Sequence, residues 1–296
     1  MDEAVARSLE NYIIVDIGAN LTNKKFSKDL EHVVARARDA GVQKIMVTGT
    51  SVQGSKDALR LARLYAGTLY CTAGVHPHEA KSWTEDSYST LKEVANSVEC
   101  VAIGECGLDF NRNFSEPAVQ MAVFEKQVGL ACDVKKPLFL HERDAHDELV
   151  GVLNKFGHRL PAGVVHCFTG SVAQLATYLD MGFYIGLTGY LWKDKTTEGL
   201  RHMLETGLLP LERLLVETDA PFMFPNTRAS KVPSHVRDRL TPRALSYLQR
   251  YCSFQRNEPC SLPATVEMIA AFLNKSPEDV ALATTFNALK LFGLST

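Results

Sequence analysis

The sequence lacks any pair of cysteines at CxxC spacing: its seven cysteines (Cys71, Cys100, Cys106, Cys132, Cys167, Cys252, Cys260) are odd in number and scattered. Several lie in apolar, strand-like runs, where cysteine acts as a small hydrophobe. A reducing compartment is therefore expected, without a disulfide framework. No apolar run approaches the roughly 20 residues that cross a bilayer, so no membrane partner is expected. Met1 to Asn11 carries acids and has neither the basic-then-apolar order of a signal peptide nor the Arg-rich character of a transit peptide. A cytoplasmic location, a nuclear one, or both follow as expectations. With 32 Lys and Arg against 34 Asp and Glu, the formal net charge is -2. Bulk charge thus does not advertise nucleic-acid binding, and any basic footprint must be local. No linker or low-complexity stretch divides the chain, so one domain over residues 1–296 is expected, with 1–11 as an N-terminal extension.

Hydrophobic residues at 46% and charged residues at 22% give a globular chain with ample core. Apolar, β-branched runs recur at Tyr12 to Ile17, Lys44 to Val47, Leu69 to Val75, Cys100 to Ile103, Pro137 to Leu140, Gly163 to Val165, Phe183 to Leu187 and Leu214 to Glu217. Stretches of helical period lie between most of them: Ser27 to Ala40, Lys56 to Tyr65, Gln120 to Val134 and Ser171 to Met181. Strand alternating with helix builds a parallel sheet with helices outside. About eight such units over roughly 250 residues match an α/β fold of the (β/α)₈ TIM-barrel type. A doubly wound open sheet fits less well, because no Gly-rich phosphate loop follows the first strand. After Pro221 a long loop leads to helices near Pro242 to Tyr251, Leu262 to Leu273 and Ser276 to Leu291.

Four clusters in order along the chain end apolar runs on residues able to bind a divalent metal. They are Glu105 in Ile103-Gly104-Glu105-Cys106-Gly107, His141 in Leu138-Phe139-Leu140-His141, His166 in Val164-Val165-His166-Cys167, and Asp219 in Glu217-Thr218-Asp219-Ala220-Pro221. The rim at the strand ends is where parallel α/β folds place chemistry. Two neutral imidazoles with two carboxylates suit a divalent ion. Each residue alone has an ordinary reading: Glu105 as a cap or salt-bridge partner, His141 as a satisfied core histidine, Asp219 as a cap. Histidines at equivalent ends of adjacent strands, however, make good metal geometry and a wasteful core. In that reading Glu105 is central to the metal site, and Asp219 ligates metal and takes a proton from the attacking water.

Further candidates surround these four. His76 and His78, in Gly74-Val75-His76-Pro77-His78, end the third strand and could touch substrate or support the ligands. Glu217, two residues before Asp219, could be a deeper barrel residue or a partner to a ligand. Asp109 and Arg112 could form an ion pair or shape a substrate loop. Arg143, Asp144 and His146 could face substrate or orient His141. From Pro225 to Arg256 the chain carries Arg228, Lys231, Arg237, Arg239, Arg243, Arg250 and Arg256 against Asp238, with Phe222, Phe224, Tyr247, Tyr251 and Phe254 nearby. This segment reads either as a solvated surface or as a phosphate-binding rim with aromatics for stacking on bases.

Taken together, Asp16-Ile17-Gly18-Ala19-Asn20-Leu21-Thr22, Gly74-Val75-His76-Pro77-His78, Gly104-Glu105-Cys106-Gly107-Leu108-Asp109, Leu140-His141-Glu142-Arg143-Asp144-Ala145-His146, His166-Cys167-Phe168-Thr169-Gly170 and Glu217-Thr218-Asp219-Ala220-Pro221 resemble the TatD family of metal-dependent deoxyribonucleases. Arg256-Asn257-Glu258-Pro259 resembles its C-terminal signature, and the likeness spans Val15 to Gly293. It implies a barrel metallohydrolase acting on DNA, commonly as a 3′-to-5′ exonuclease, with RNA as a further substrate. Magnesium or manganese is the implied cofactor, zinc a further option, as one ion or two. Glu105, His141, His166 and Asp219 fall on the family's metal-binding positions. Many relatives end the first strand with a His-x-His pair, where Gly18 and Asn20 stand here. Glycine is no ligand and an amide is a weak one, so Asp16 and Asn20 become substitute candidates, and a single tightly held ion, or a second recruited with the substrate phosphate, is expected. Two other function classes remain: an amidohydrolase-like enzyme on a small ester, amide, lactone or aminoacyl-RNA ester, and a non-catalytic nucleic-acid-binding scaffold.

Overall fold

The computed structural model describes residues 13–194 and 196–294, so the expected extension over residues 1–11 lies outside the described residues. Eight strands pair in parallel and in sequence order: β1 (Ile14–Ala19), β2 (Val42–Val47), β3 (Leu69–Ala73), β4 (Cys100–Asp109), β5 (Leu138–Arg143), β6 (Gly163–Val165), β7 (Tyr184–Leu187) and β8 (Leu214–Val216). The ring closes where the chain leaving β8 meets β1. There the Asp219 N–H donates to the Gly18 carbonyl at 2.8 Å and the Asn20 N–H to the Ala220 carbonyl at 2.7 Å. The fold is the (β/α)₈ barrel that the alternation of runs implies.

The connecting helices are α1 (Leu30–Asp39), α2 (Val52–Leu64), α3 (Ser87–Ala95), α4 (Pro117–Val134), α5 (His146–Asn154), α6 (Val172–Asp180) and α7 (Leu200–Glu205). The segment after β8 adds α8 (Ser234–Arg237), α9 (Pro242–Tyr251), α10 (Leu262–Leu273) and α11 (Pro277–Phe292). Local chemistry sets the starts: Ser171 and Gln174 close a capping box on α6, and the Ser276 side chain caps α11 ahead of Pro277. One hydrophobic layer lies between strands and helices. A second fills the barrel with Val15, Ile17, Met46, Tyr70, Val101, Phe139, Val164, Tyr184 and Leu215, and Ala288, Phe292 and Leu294 at the chain's end pack against it. Among the described residues no helix is long and apolar enough to cross a membrane.

Two strands run further than their apolar sequence suggests. β4 continues from Ile103 to Asp109 and β5 from Leu140 to Arg143, because Gly107 pairs with His141 and Asp109 with Arg143. Gly107 adopts φ 146°, and a Cβ there would fall 1.9 Å from the His141 carbonyl oxygen, so glycine is what permits this approach. His141 therefore sits on ladder-bonded backbone and Glu105 on the irregular step within β4, rather than on loops after the strands. His146, expected on the same loop, opens α5 instead, with its Nδ1 2.9 Å from the Tyr178 hydroxyl. It bonds Tyr178 and does not orient His141.

Candidate active site

Both ladders that carry the site slip in register at the residues that matter. β1 against β2 shifts between Asp16 and Ala19, and β4 against β5 shifts between Ile103 and Cys106. Such irregularities re-aim side chains locally. Here they accompany Gly18 and Glu105.

Glu105 Oε1 is the geometric centre. His166 Nε2 lies 2.8 Å from it, His141 Nδ1 3.0 Å and His76 Nε2 3.2 Å. The ligating atoms of His76, Glu105 and His141 all fall within 4.8 Å of one another. Burial alone would push the Glu105 carboxyl up, but the His166 and His76 charges and the hydrogen bond from His141 hold it well below the usual carboxylate range. Burial likewise works against a charged His166. Glu105 on one side and Glu217 on the other outweigh it, and hold its imidazole protonated well beyond the ordinary range. His141 is raised in the same way by Asp109 and Glu105 against its own burial, whereas burial dominates at His76 and lowers it.

Glu217 explains the unusual first strand. Its Oε2 lies 3.3 Å from His166 Nδ1, and its Oε1 accepts the Cys167 N–H at 2.6 Å. A Cβ on Gly18 would fall 2.3 Å from Oε2, and one on Gly186 2.7 Å from Oε1. The Glu217 carboxylate thus fills the volume that a side chain at position 18 would occupy.

Asp219 completes the mouth. It adopts φ 49°, which turns the chain sharply after β8, and its Oδ1 accepts a hydrogen bond from Asn20 Nδ2 at 3.1 Å. Burial pushes its carboxyl up to about 8, with His166 opposing and Glu105 and Glu217 adding to the rise. Asp16, a candidate ligand by sequence, is turned elsewhere. Its oxygens accept the Gly18 N–H at 3.2 Å, the Thr218 N–H at 2.9 Å and the Thr218 hydroxyl at 2.6 Å. It braces the turn that delivers Asp219, and burial pushes it up to about 7.

A second carboxylate, Asp109, reaches the imidazoles from the other side. Its Oδ2 lies 2.7 Å from His78 Nε2 and 3.4 Å from His141 Nε2, and its Oδ1 accepts the backbone N–H groups of Asn111 and Arg112. Of the two readings of Asp109 and Arg112, an ion pair or a shaped loop, it is a backbone turn that joins them here. Arg112 and Arg143 remain exposed at the rim.

A divalent cation fits this set. Imidazole nitrogens and carboxylate oxygens converge around Glu105, and His141 Nε2, 3.4 Å from Asp109 Oδ2, makes no full hydrogen bond among the described residues. Of the four residues expected from the sequence, Glu105, His141 and His166 meet here, and Asp219 stands at the same mouth, bonded to Asn20. His76, which its His-Pro-His context offered as a substrate contact, a supporting residue or a second-metal candidate, is a full member of the cluster around Glu105.

The basic segment separates into two groups. Arg256 pairs with Asp29 at 2.6 Å and with the fully buried Glu258, which Arg36 also grips at 2.8 Å. Arg239 donates to Asn274, Arg243 to the Asp39 carbonyl, and Arg250 lies over Tyr251. Arg256, expected from the sequence to contact substrate, is engaged by Asp29 and Glu258 within the fold. Arg228, Lys231 and Arg237 are exposed. Lys231 lines a cleft of about 800 Å³ with Trp192, Lys193, Asp194 and the Thr169–Ser171 turn that follows His166.

Comparison with known proteins agrees with this geometry. The profile described as TatD related DNase matches residues 15–293. The chain belongs to the TatD family. It is 42% identical over 279 residues to the "3'-5' ssDNA/RNA exonuclease TatD" of Erwinia amylovora, covering 94% of this chain and 99% of the relative. The protein of the same name from Salmonella typhimurium is 43% identical over 277 residues, covering 94% and 98%. Among solved structures, the TatD homolog YjjV of Escherichia coli superposes with a TM-score of 0.80 at 27% identity, over 95% of this chain and 98% of that one. A TatD family hydrolase of Entamoeba histolytica gives 0.82 at 24% identity, over 96% and 99%.

Proposed function

We propose that this TatD-family hydrolase removes nucleotides from the 3′ ends of single-stranded DNA or RNA with magnesium or manganese as its ion. Glu105, His76, His141, His166 and Asp219 hold that ion. The observation that carries the reading is the meeting of three imidazole nitrogens on one buried Glu105 oxygen. When bound, the ion polarises the phosphoryl group and lowers the pKa of water at the site.

The protein's own groups do the rest. Glu217 keeps a proton on His166 Nδ1 and so leaves Nε2 to face the centre. Asn20 holds Asp219 by Oδ1, and Oδ2 takes the proton from the attacking water. Asp109 orients His78 and His141 from behind. Arg112 and Arg143 at the rim, and Arg228 and Lys231 beyond β8, meet the phosphates of the strand.

The test is incubation of the purified protein with end-labelled single- and double-stranded DNA and RNA in magnesium, manganese or chelator. Stepwise shortening from the 3′ end that chelator abolishes is expected. Intact nucleic acid in every metal, together with hydrolysis of a small ester or lactone, would instead favour the amidohydrolase-like reading.

A further inference from the structure

The loop between β4 and α4 carries an aromatic residue beside the centre, against His78, that the reading above leaves without a role. Phe114 keeps 56% of its surface exposed, although large apolar side chains elsewhere in the barrel are mostly buried. Its ring lies against His78, with centroids 4.8 Å apart and planes at 79°. His78 in turn bonds Asp109 at 2.7 Å and stacks edge-on against His76 at 4.3 Å, and His76 touches Glu105. Phe114 thus stands two side chains from the Glu105 oxygen.

The loop that presents it is held stiffly. Asp109 Oδ1 accepts the N–H groups of Asn111 and Arg112, and the Phe114 N–H donates to the Arg112 carbonyl at 2.9 Å. The Asn111 amide is pinned to Asp144 at 2.7 Å, and the Ser115 hydroxyl donates to the His78 carbonyl at 2.9 Å. A rigid loop that holds a bare aromatic face in water, next to a phosphate-cleaving centre and beside the exposed Arg112, suits a planar ligand attached to a phosphate.

We propose that Phe114 is the stacking platform for the nucleobase at the 3′ end of the strand, and that it makes the enzyme prefer strands bearing a base over those without one. This rests on the exonuclease reading. Stacking tolerates every base, since each has a π-face, so Phe114 favours a base without choosing among them.

The experiment compares wild type, Phe114→Ala and Phe114→Tyr on a single-stranded oligonucleotide and on the same strand with abasic 3′-terminal residues. A base–aromatic contact predicts that Phe114→Ala raises KM by roughly 5- to 100-fold on the normal strand. Phe114→Tyr should restore KM, and the gap between wild type and Phe114→Ala should close on the abasic strand. A readout independent of hydrolysis uses Phe114→Trp in chelator, where oligonucleotide should quench fluorescence beyond the quenching of wild type and abasic strand should not. Equal KM for Phe114→Ala and wild type on the normal strand, or an equally large rise in KM on the abasic strand, overturns the platform. A wild-type enzyme inert on all nucleic acids overturns instead the exonuclease reading beneath it.

Discussion

The mouth of the barrel and the basic segment after β8 look alike in sequence, each a concentration of chemically capable residues, yet the fold treats them oppositely. At the mouth, side chains from β4, β5 and the turns after β1, β3, β6 and β8 come within hydrogen-bond distance of a single oxygen or of one another. In the segment from Pro225 to Arg256, most arginines point at the protein itself. They satisfy a buried Glu258, a helix-end carbonyl and the Asn274 side chain. Composition counts groups, but only unsatisfied, converging groups can bind a ligand. Histidines and carboxylates crowded together repel or must exchange protons unless a cation joins them. Arginines in a segment packed over the barrel find carboxylates and carbonyls at hand.

The largest expected effect tests the convergence itself. Glu105→Ala should bring nuclease activity to background and abolish tight metal binding, because His76, His141 and His166 lose their common counter-charge. Retention of near-wild-type rate in magnesium would show that the centre lies elsewhere.

Next in size is Asp219→Asn. Removing a general base costs about 10²–10⁴ in rate, and excess manganese should not recover it. His166→Ala should instead be partly recovered by manganese, since removing an imidazole weakens metal binding by mass action. The reverse pattern in a metal titration would exchange the two roles.

The ion-free site also makes a prediction about pH. Asp219 is pushed up to about 8 and His166 is raised well above its ordinary value, so both bind protons more tightly folded than unfolded. The stability of the ion-free protein should therefore fall as pH climbs from the ordinary carboxylate range through about 8, and added metal should reverse that fall. Metal binding should release protons and tighten with pH over the same window. Calorimetry in two buffers of different ionisation enthalpy would read the proton count directly. A pH-independent affinity would mean that the carboxyl and the imidazole are already stripped of protons before the ion arrives.

The smallest effects sharpen the other half of the comparison. Arg256→Ala should lower stability by roughly 1–3 kcal/mol, the usual cost of removing a charged hydrogen-bond partner from a buried carboxylate, and leave the salt dependence of KM alone. The Arg228→Ala, Lys231→Ala double variant should do the opposite. It should keep Tm and flatten the log–log salt slope by about 0.7 for each phosphate no longer neutralised. An unchanged slope would return this part of the segment to ordinary surface.

The sequence by itself pointed to the barrel, because eight apolar β-branched runs separated by helical periods call for a parallel sheet with helices outside, and their number, with no Gly-rich phosphate loop after the first, favours the closed form over the open one. It also placed Glu105, His141, His166 and Asp219 at the ends of buried runs, where polar groups emerge on one rim. Three matters were decided only by the tertiary structure. The extension of β4 and β5 through Glu105 and His141 depends on Gly107 lying against the His141 backbone, an approach between two strands separated in sequence by the whole of α4. The rank of His76 depends on where a His-Pro-His turn aims its first ring. The meaning of Gly18 depends on Glu217, a residue from the opposite end of the barrel sequence that fills the space glycine leaves. Pattern along a chain records which residues are buried and at what period, whereas which groups meet across the mouth is set by register, backbone approach and leftover volume, quantities that exist only once the ring has closed.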